Sequence, residues 1–315
     1  MNGSITQQVR ELISYHRRNW ELARTNYAAL DRVQSRKLMV NGYEVELQFN
    51  PERIRSSAAK IDKASLAARP CFLCEANRPG NQQWIDFGDE YQIIVNPYPI
   101  FPKHLTIPIR AHQEQCIRGR YADMLALAEA LDEFIVFYNG PKCGASAPDH
   151  MHFQAGSKGF LPLEVNWLQA AKEEVKVKGQ AVLYALRDFL QPAFVIVSEK
   201  REDAVALFDH LYELMDCKMG EYEPMMNVLS WKEDGKWITC IYPRKNLHPS
   251  CYYAEGDANI LISPATVEMA GLFVTPLEKD FRKVTADDLR QILRETCLSE
   301  KEMDLLISKS KLYSL

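Results

Sequence analysis

Between Ile5 and Val33 the apolar positions Val9, Leu12, Ile13, Leu22 and Ala23 recur at helical spacing, which predicts one amphipathic helix. The period then drops to two. "RKLMVNGYEVELQF" reads as a pair of strands around Asn41-Gly42, a dipeptide suited to a tight hairpin turn. Past the loop-like "CFLCEANRPGNQ" come "YQIIVNPYPI" and "KHLTIPIRAH", two strands split by a proline-bearing turn. A helix is expected across Tyr121–Tyr138, with Met124, Leu127, Leu131, Phe134, Ile135 and Tyr138 on its buried side. The Gly/Ser-rich "NGPKCGASAPD" follows it and leads into "HMHFQAG".

From about Val175 the pattern changes and a second half repeats the plan. "AFVIVSEK" is a strand, "REDAVALFDHLYELM" a helix, and "NVLSWKEDGKWITCIYPRK" a hairpin turning at Asp234-Gly235. "NILISPATVEMAGLFVTP" adds strand-like sequence. "VTADDLRQILRETC" is a helix opened by Thr285 with Asp288 three residues on, close to a capping box. Strands, helices and hairpins segregate instead of alternating as βαβ units, so the fold class is α+β with antiparallel sheets. Neither a Rossmann nor a P-loop glycine fingerprint is present.

"SAPDHMHFQAG" sets His150, His152 and Gln154 at every second position. In extended backbone these three project to one face while Met151, Phe153 and Ala155 project to the other, into a core. A His–His–Gln face suits metal binding, nucleophilic catalysis or phosphate binding. The plainer alternative is an edge strand whose solvent face carries histidines.

Composition narrows the setting. At 315 residues, 47% apolar and 25% charged, the chain is an ordinary globular protein able to bury a large core. A net charge of −4 argues against a general nucleic-acid binder, and no uncharged stretch approaches a membrane span or a signal core. The eight cysteines are mostly isolated, as reduced cytosolic thiols are, the Cys71/Cys74 pair excepted. A cytoplasmic location is therefore expected.

These motifs resemble those of a known group. "HMHFQ" resembles the His-x-His-x-Gln motif of the galactose-1-phosphate uridylyltransferase branch of the histidine-triad superfamily, and "HMHFQAG" is similar to its counterpart in GDP-L-galactose phosphorylases. "VNPYPIFPKHLTIPIRAH" and "YNGPKCGAS" look like the strands and the loop that precede that motif there. "CFLCEAN" is similar to the zinc-binding Cys-x-x-Cys segment of the uridylyltransferases. "MNVLSWKEDGKWITCIYPRK" through "ISPATVEMAGLFV" is more like the C-terminal part of diadenosine tetraphosphate phosphorylases. The specific motifs span about Pro70–Phe160, with a weaker likeness over about Met226–Pro276.

The resemblance implies a HIT-like fold of antiparallel sheets with flanking helices in two pseudo-repeated halves. Residues 1–69 would be a helix-and-hairpin extension, 70–174 the first half with the His-x-His-x-Gln motif, and 175–315 the second. It also implies that His152 attacks the α-phosphorus of a nucleotide to form a nucleotidyl-histidine. Gln154 would donate to a phosphoryl oxygen, and Ser146 would contact the leaving phosphate. An amide is neither acid nor base, which fits transfer to a phosphate acceptor better than hydrolysis. Asn139, Gly140 and Gly144 would bring loop groups against the phosphates. Asn96 would meet the ribose or else form an Asn-Pro turn. Arg244 and Lys245 would bind the acceptor phosphate or else be an exposed basic pair. Asp149, one residue more than the uridylyltransferase pattern has, is a turn residue or orients a neighbouring imidazole. A structural zinc would be held by Cys71, Cys74, His104 and His150.

The expected activity is that of a nucleotidyltransferase, leaning to a nucleotide phosphorylase over a hexose-1-phosphate uridylyltransferase. Its partners would be a nucleotide sugar or dinucleoside polyphosphate and a phosphate or sugar phosphate acceptor, with no nucleic acid or membrane, and pairing as a homodimer is left open. The other class of reading is a non-catalytic nucleotide-binding or sensing protein on the same fold.

Overall fold

The computed structural model describes residues 4–54 and 63–314. Residues 1–3, 55–62 and 315, which include part of the expected N-terminal extension, lie outside that description. The first helix expected from the sequence is broken in two, Ile5–Asn19 and Glu21–Ala29, because Trp20 takes extended backbone and buries its ring in the core. The hairpin forms as expected, with β1 (Gln34–Val40) and β2 (Tyr43–Phe49) paired in full register. Asn41 and Gly42 both have positive φ, +50° and +86°, the tight-turn geometry that this dipeptide favours.

Among the described residues the main sheet has ten strands. In chain order these are β3 (Trp84–Phe87), β4 (Tyr91–Val95), β5 (His104–Pro108), β6 (Phe134–Asn139), β7 (His152–Ser157), β8 (Ala171–Lys178), β9 (Ala181–Arg187), β10 (Ala193–Ser198), β11 (Met226–Glu233) and β12 (Lys236–Pro243). Their spatial order is β3-β4-β5-β7-β6-β11-β12-β10-β9-β8, antiparallel throughout. The order contains the same plan twice. In each half the first three strands form a meander, a helix follows (Tyr121–Ala130 or Arg201–Leu214), the fifth strand lies beside the third, and the fourth lies at the centre. The halves meet where β6 pairs with β11, Asn139 opposite Asn227. They thus share one continuous sheet, and the expected boundary at 174/175 falls inside β8.

Strand alternation sends side chains into two apolar layers. One layer packs against the helices Ile5–Asn19, Tyr121–Ala130, Arg201–Leu214 and Glu300–Leu312 and contains Phe153, Ala155 and Tyr138. The other holds Ile135, Phe137, Ile238, Cys240 and Tyr242, and is covered by Leu163–Gln169, Ala286–Thr296 and the hairpin. β13 (Leu272–Thr275) extends that hairpin by pairing parallel to β2, so the N-terminal extension is built into the C-terminal part.

The helix expected over Tyr121–Tyr138 ends at Ala130, and Phe134–Asn139 is the central strand β6. Every residue of "FIVFYN" is buried, and a strand covered on both faces reads as a continuous apolar run that also satisfies a helical pattern. Of the strand-like 259–276 only Leu272–Thr275 is a strand, and Thr266–Met269 is a helical turn. The Thr285/Asp288 capping box forms at the start of Ala286–Thr296. Among the described residues no helix is long and apolar enough to cross a membrane.

Candidate active site

β7 lies between β5 and β6, with Phe153 and Ala155 in the helix-side core and His152 and Gln154 on the opposite face. His152 is buried, and its Nδ1 lies 2.8 Å from the His150 carbonyl oxygen. A carbonyl only accepts, so Nδ1 carries the proton and Nε2 keeps its lone pair. Burial lowers the His152 pKa to about 4, outweighing the hydrogen bond to the His150 carbonyl, which raises it, so the ring is neutral at neutral pH. β12 takes the place in the second half that β7 has in the first. Its Ile238, Cys240 and Tyr242 are sealed in the second apolar layer, so the polar chemistry sits in one half alone.

Gln154 is oriented by His104. The Ile100 N–H donates to His104 Nδ1 (3.1 Å), so the proton of that ring is on Nε2, which donates to Gln154 Oε1 at 3.1 Å. With its oxygen held there, the Gln154 amide has only N–H donors left to offer. Burial, aided by the nearby Arg53 guanidinium, lowers the His104 pKa to about 3. Asn96 donates to Thr106 Oγ1 (3.1 Å), and its Oδ1 accepts from the Tyr98 N–H (2.9 Å), the side-chain-to-backbone bond of an Asn-Pro turn.

The expected ligand set needs one correction. Cys71, Cys74, His112 and His150 present donor atoms all within 4.8 Å of one another, and His104 is not among them. The reason is register. His104 opens β5 and pairs with Gly156 at the far end of β7, while Pro108 pairs with His152, so only residues beyond β5 can reach His150. Cys71 Sγ and His150 Nδ1 are 3.3 Å apart, Cys74 Sγ and His112 Nδ1 3.3 Å, Cys74 Sγ and His150 Nδ1 3.5 Å, and the two Nδ1 atoms 3.3 Å. A tetrahedral zinc site with ordinary bond lengths has edges of roughly 3.3–3.8 Å. The His150 Nε2–H donates to the Ile109 carbonyl (2.8 Å), which leaves Nδ1 as a bare lone pair facing the other donors. Four electron-rich atoms converging in this way fit a cation, and this cluster can hold a metal ion.

The Cys-x-x-Cys turn is anchored on several sides. Asn77 Nδ2 donates to the Cys71 carbonyl, and Gln92 Nε2 donates to Glu75 Oε2, each at 2.9 Å. Asp149 lies in a turn, as expected, and accepts from Arg69 Nη2 (2.8 Å), whose guanidinium lies over the Phe72 ring. Asp149 therefore ties the loop before His150 to the segment before Cys71.

The loop after β6 divides into engaged and available groups. Asn139 Oδ1 accepts from the Thr266 N–H (2.9 Å), the Thr266 hydroxyl (2.6 Å) and Asn227 Nδ2 (3.0 Å). The Gly140 N–H donates to the Met226 carbonyl at 3.1 Å. The Asn139 side-chain oxygen and the Gly140 N–H thereby join the two halves. The N–H groups of Gly144, Ala145 and Ser146 make no hydrogen bond to another described residue. Gly144 has φ +95°, and a Cβ there would lie 2.4 Å from the Ala265 Cβ, so the turn that aligns these amides requires glycine.

Arg244 is also corrected. It is buried, not an exposed member of a basic pair, and all its N–H groups have acceptors: the Thr296, Pro264, Asn246 and Leu247 carbonyls and Asn227 Oδ1. With no donor left it cannot hold an acceptor phosphate, and it instead fastens the 244–247 and 264 segments to β11. Lys245 is tied beside it through its backbone N–H to the Thr296 carbonyl. Sequence reasoning missed His112, Gln115, Asn227 and Thr266. His112 had a signal, because it follows the β5 run "HLTIPIRAH", and an antiparallel β5–β7 pair brings that end to His150. The other three sit in a loop, a strand and a helical turn with no local mark.

Residues 12–157 match the family described as domain of unknown function DUF4922. No curated protein matches the chain in sequence. The crystal structure of yeast Ap4A phosphorylase Apa2 superposes with a TM-score of 0.61 at 16% identity, covering 95% of this chain and 96% of that one. The same yeast protein in complex with Ap4A gives 0.61 at 17% identity (93% and 97% covered), and in complex with AMP 0.54 at 16% (88% and 94%). Over nearly its whole length, then, this chain has the histidine-triad-like fold that yeast Ap4A phosphorylase adopts.

Proposed function

We propose that the chain is a nucleotide phosphorylase of the nucleotidyltransferase type, acting through a covalent nucleotidyl intermediate on His152. The observation that carries this reading is the state of that ring, which is buried and neutral, with Nδ1 tied to the His150 carbonyl and Nε2 kept as a lone pair. Nε2 attacks the α-phosphorus of a nucleoside polyphosphate, and the P–O bond to the leaving group breaks with its electron pair departing on oxygen. An oxygen of inorganic phosphate then attacks the same phosphorus. The N–P bond breaks, its electrons return to Nε2, and a nucleoside diphosphate leaves. Gln154 donates to the phosphoryl oxygens, joined by the Ser146 hydroxyl and the backbone N–H groups of the Gly144–Ser146 turn. With no base at position 154 to activate water, phosphate outcompetes hydrolysis.

Dinucleoside polyphosphates are the substrate class supported best, since the fold likeness extends to a phosphorylase structure holding Ap4A. When bound, zinc supplies a structural cross-link. Cys71, Cys74, His112 and His150 would hold it, pinning the loop ahead of His152 and leaving His152 free.

The test is direct. Incubated with Ap4A and no phosphate, the protein should acquire an acid-labile, base-stable nucleotidyl adduct that phosphate discharges faster than water. His152→Ala should lose the adduct and keep nucleotide binding. Full turnover in that variant would overturn the mechanism, and tight binding with no adduct in the native protein would point to nucleotide sensing.

A further inference from the structure

The β6–β7 ladder stops early. Phe134 to Phe137 pair with Ser157 to Gln154, and continuing the register would place Asn139 opposite His152. The side chain of Gln115 occupies that place. Its Nε2 donates to the Asn139 carbonyl (2.9 Å) and the His152 carbonyl (3.1 Å), and its Oε1 accepts from the His152 N–H (2.8 Å). One fully buried amide thus satisfies three backbone groups that the ladder would otherwise have paired. Its segment is stitched along the start of β7 by Gln115 N–H to the Pro148 carbonyl (3.0 Å) and Met151 N–H to the Gln113 carbonyl (2.7 Å). Glu223 holds it from behind, accepting from the Ile117 N–H and the Tyr138 hydroxyl, each at 2.6 Å.

We infer that Gln115 is a positioning residue, a wedge that keeps β6 and β7 apart at the nucleophile and fixes the His152 backbone. The inference rests on the proposed role of His152. Held open, the strands let the 140–147 loop leave β6 without closing over β7. The fixed His152 backbone also preserves the short Nδ1–H bond to the His150 carbonyl, which sets the tautomer needed for attack. The amide is suited to this because it is both donor and acceptor. Leucine has its approximate volume and neither group, while glutamate would set a carboxylate oxygen against two carbonyls.

The experiment uses the full chain, with Ap4A as the probe, and follows single-turnover adduct formation beside amide hydrogen exchange at His152. Gln115→Leu should slow adduct formation about thirtyfold or more and speed exchange of the His152 N–H at least tenfold, with Ap4A affinity and bound zinc within threefold of the native protein. Adduct formation within threefold of native, or a parallel loss of binding, would overturn the positioning role. If native protein formed no adduct, the nucleotidyl-histidine reading would fail by itself, and unchanged exchange at His152 in the variant would then overturn the wedge. Should Gln115→Leu not fold, Gln115→Glu carries the same comparison.

Discussion

Replacing His112 by alanine removes one of four donors from the Cys71, Cys74, His112, His150 cluster and touches nothing in the His152–Gln154 pair. Structural zinc sites of this type bind with roughly 10–16 kcal/mol at neutral pH, so one ligand in four is worth about 3 kcal/mol. That loss weakens the apparent affinity by about two orders of magnitude. Water can enter the vacated position because His112 is the exposed member of the set, whereas Cys71 and His150 are buried. The assay is competition against a chromophoric zinc chelator, with stoichiometry from elemental analysis. Native protein should hold about one equivalent, and His112→Ala should release it at a chelator concentration about a hundredfold lower. His104→Ala is the paired control. It should leave zinc affinity within a factor of two or so while slowing nucleotidyl transfer, because it frees Gln154 Oε1 from its orienting donor. Native-like affinity in His112→Ala, or zinc loss in His104→Ala, would refute the ligand assignment.

Gly144→Ala should destabilise the protein by about 2 kcal/mol in urea unfolding, since a side chain at φ +95° is strained and its Cβ meets Ala265; a change below about 0.5 kcal/mol would show that the turn tolerates a Cβ. Burial raises the Glu268 carboxyl from 4.5 to about 7, so the folded state holds its proton more tightly than the unfolded state does. Stability from this group is full below about pH 4.5 and is lost as pH rises through 7, a swing of roughly 3 kcal/mol by linkage. Glu268→Gln should flatten the fall in unfolding free energy between about pH 5 and pH 8, and equal slopes in native and variant protein would contradict the assignment.

What could be read locally was what depends on local interactions. The Asn41-Gly42 turn, the β4 and β5 strands, the Thr285/Asp288 cap and the alternation that presents His152 and Gln154 together all depend on residues within a few positions of one another. Their physics is turn geometry, capping and side-chain period, each of which leaves a mark in sequence. Phe134–Asn139 escaped because a strand buried on both faces has no polar side to set its period. His104 and His112 were indistinguishable as ligands by spacing, and the β5–β7 register alone placed one beside Gln154 and the other beside the cysteines. Gly140 and Arg244 looked like ligand-binding groups until the second half supplied their hydrogen-bond partners. Burial obliges polar groups to find partners, and which partner each one finds is settled only when distant segments pack together.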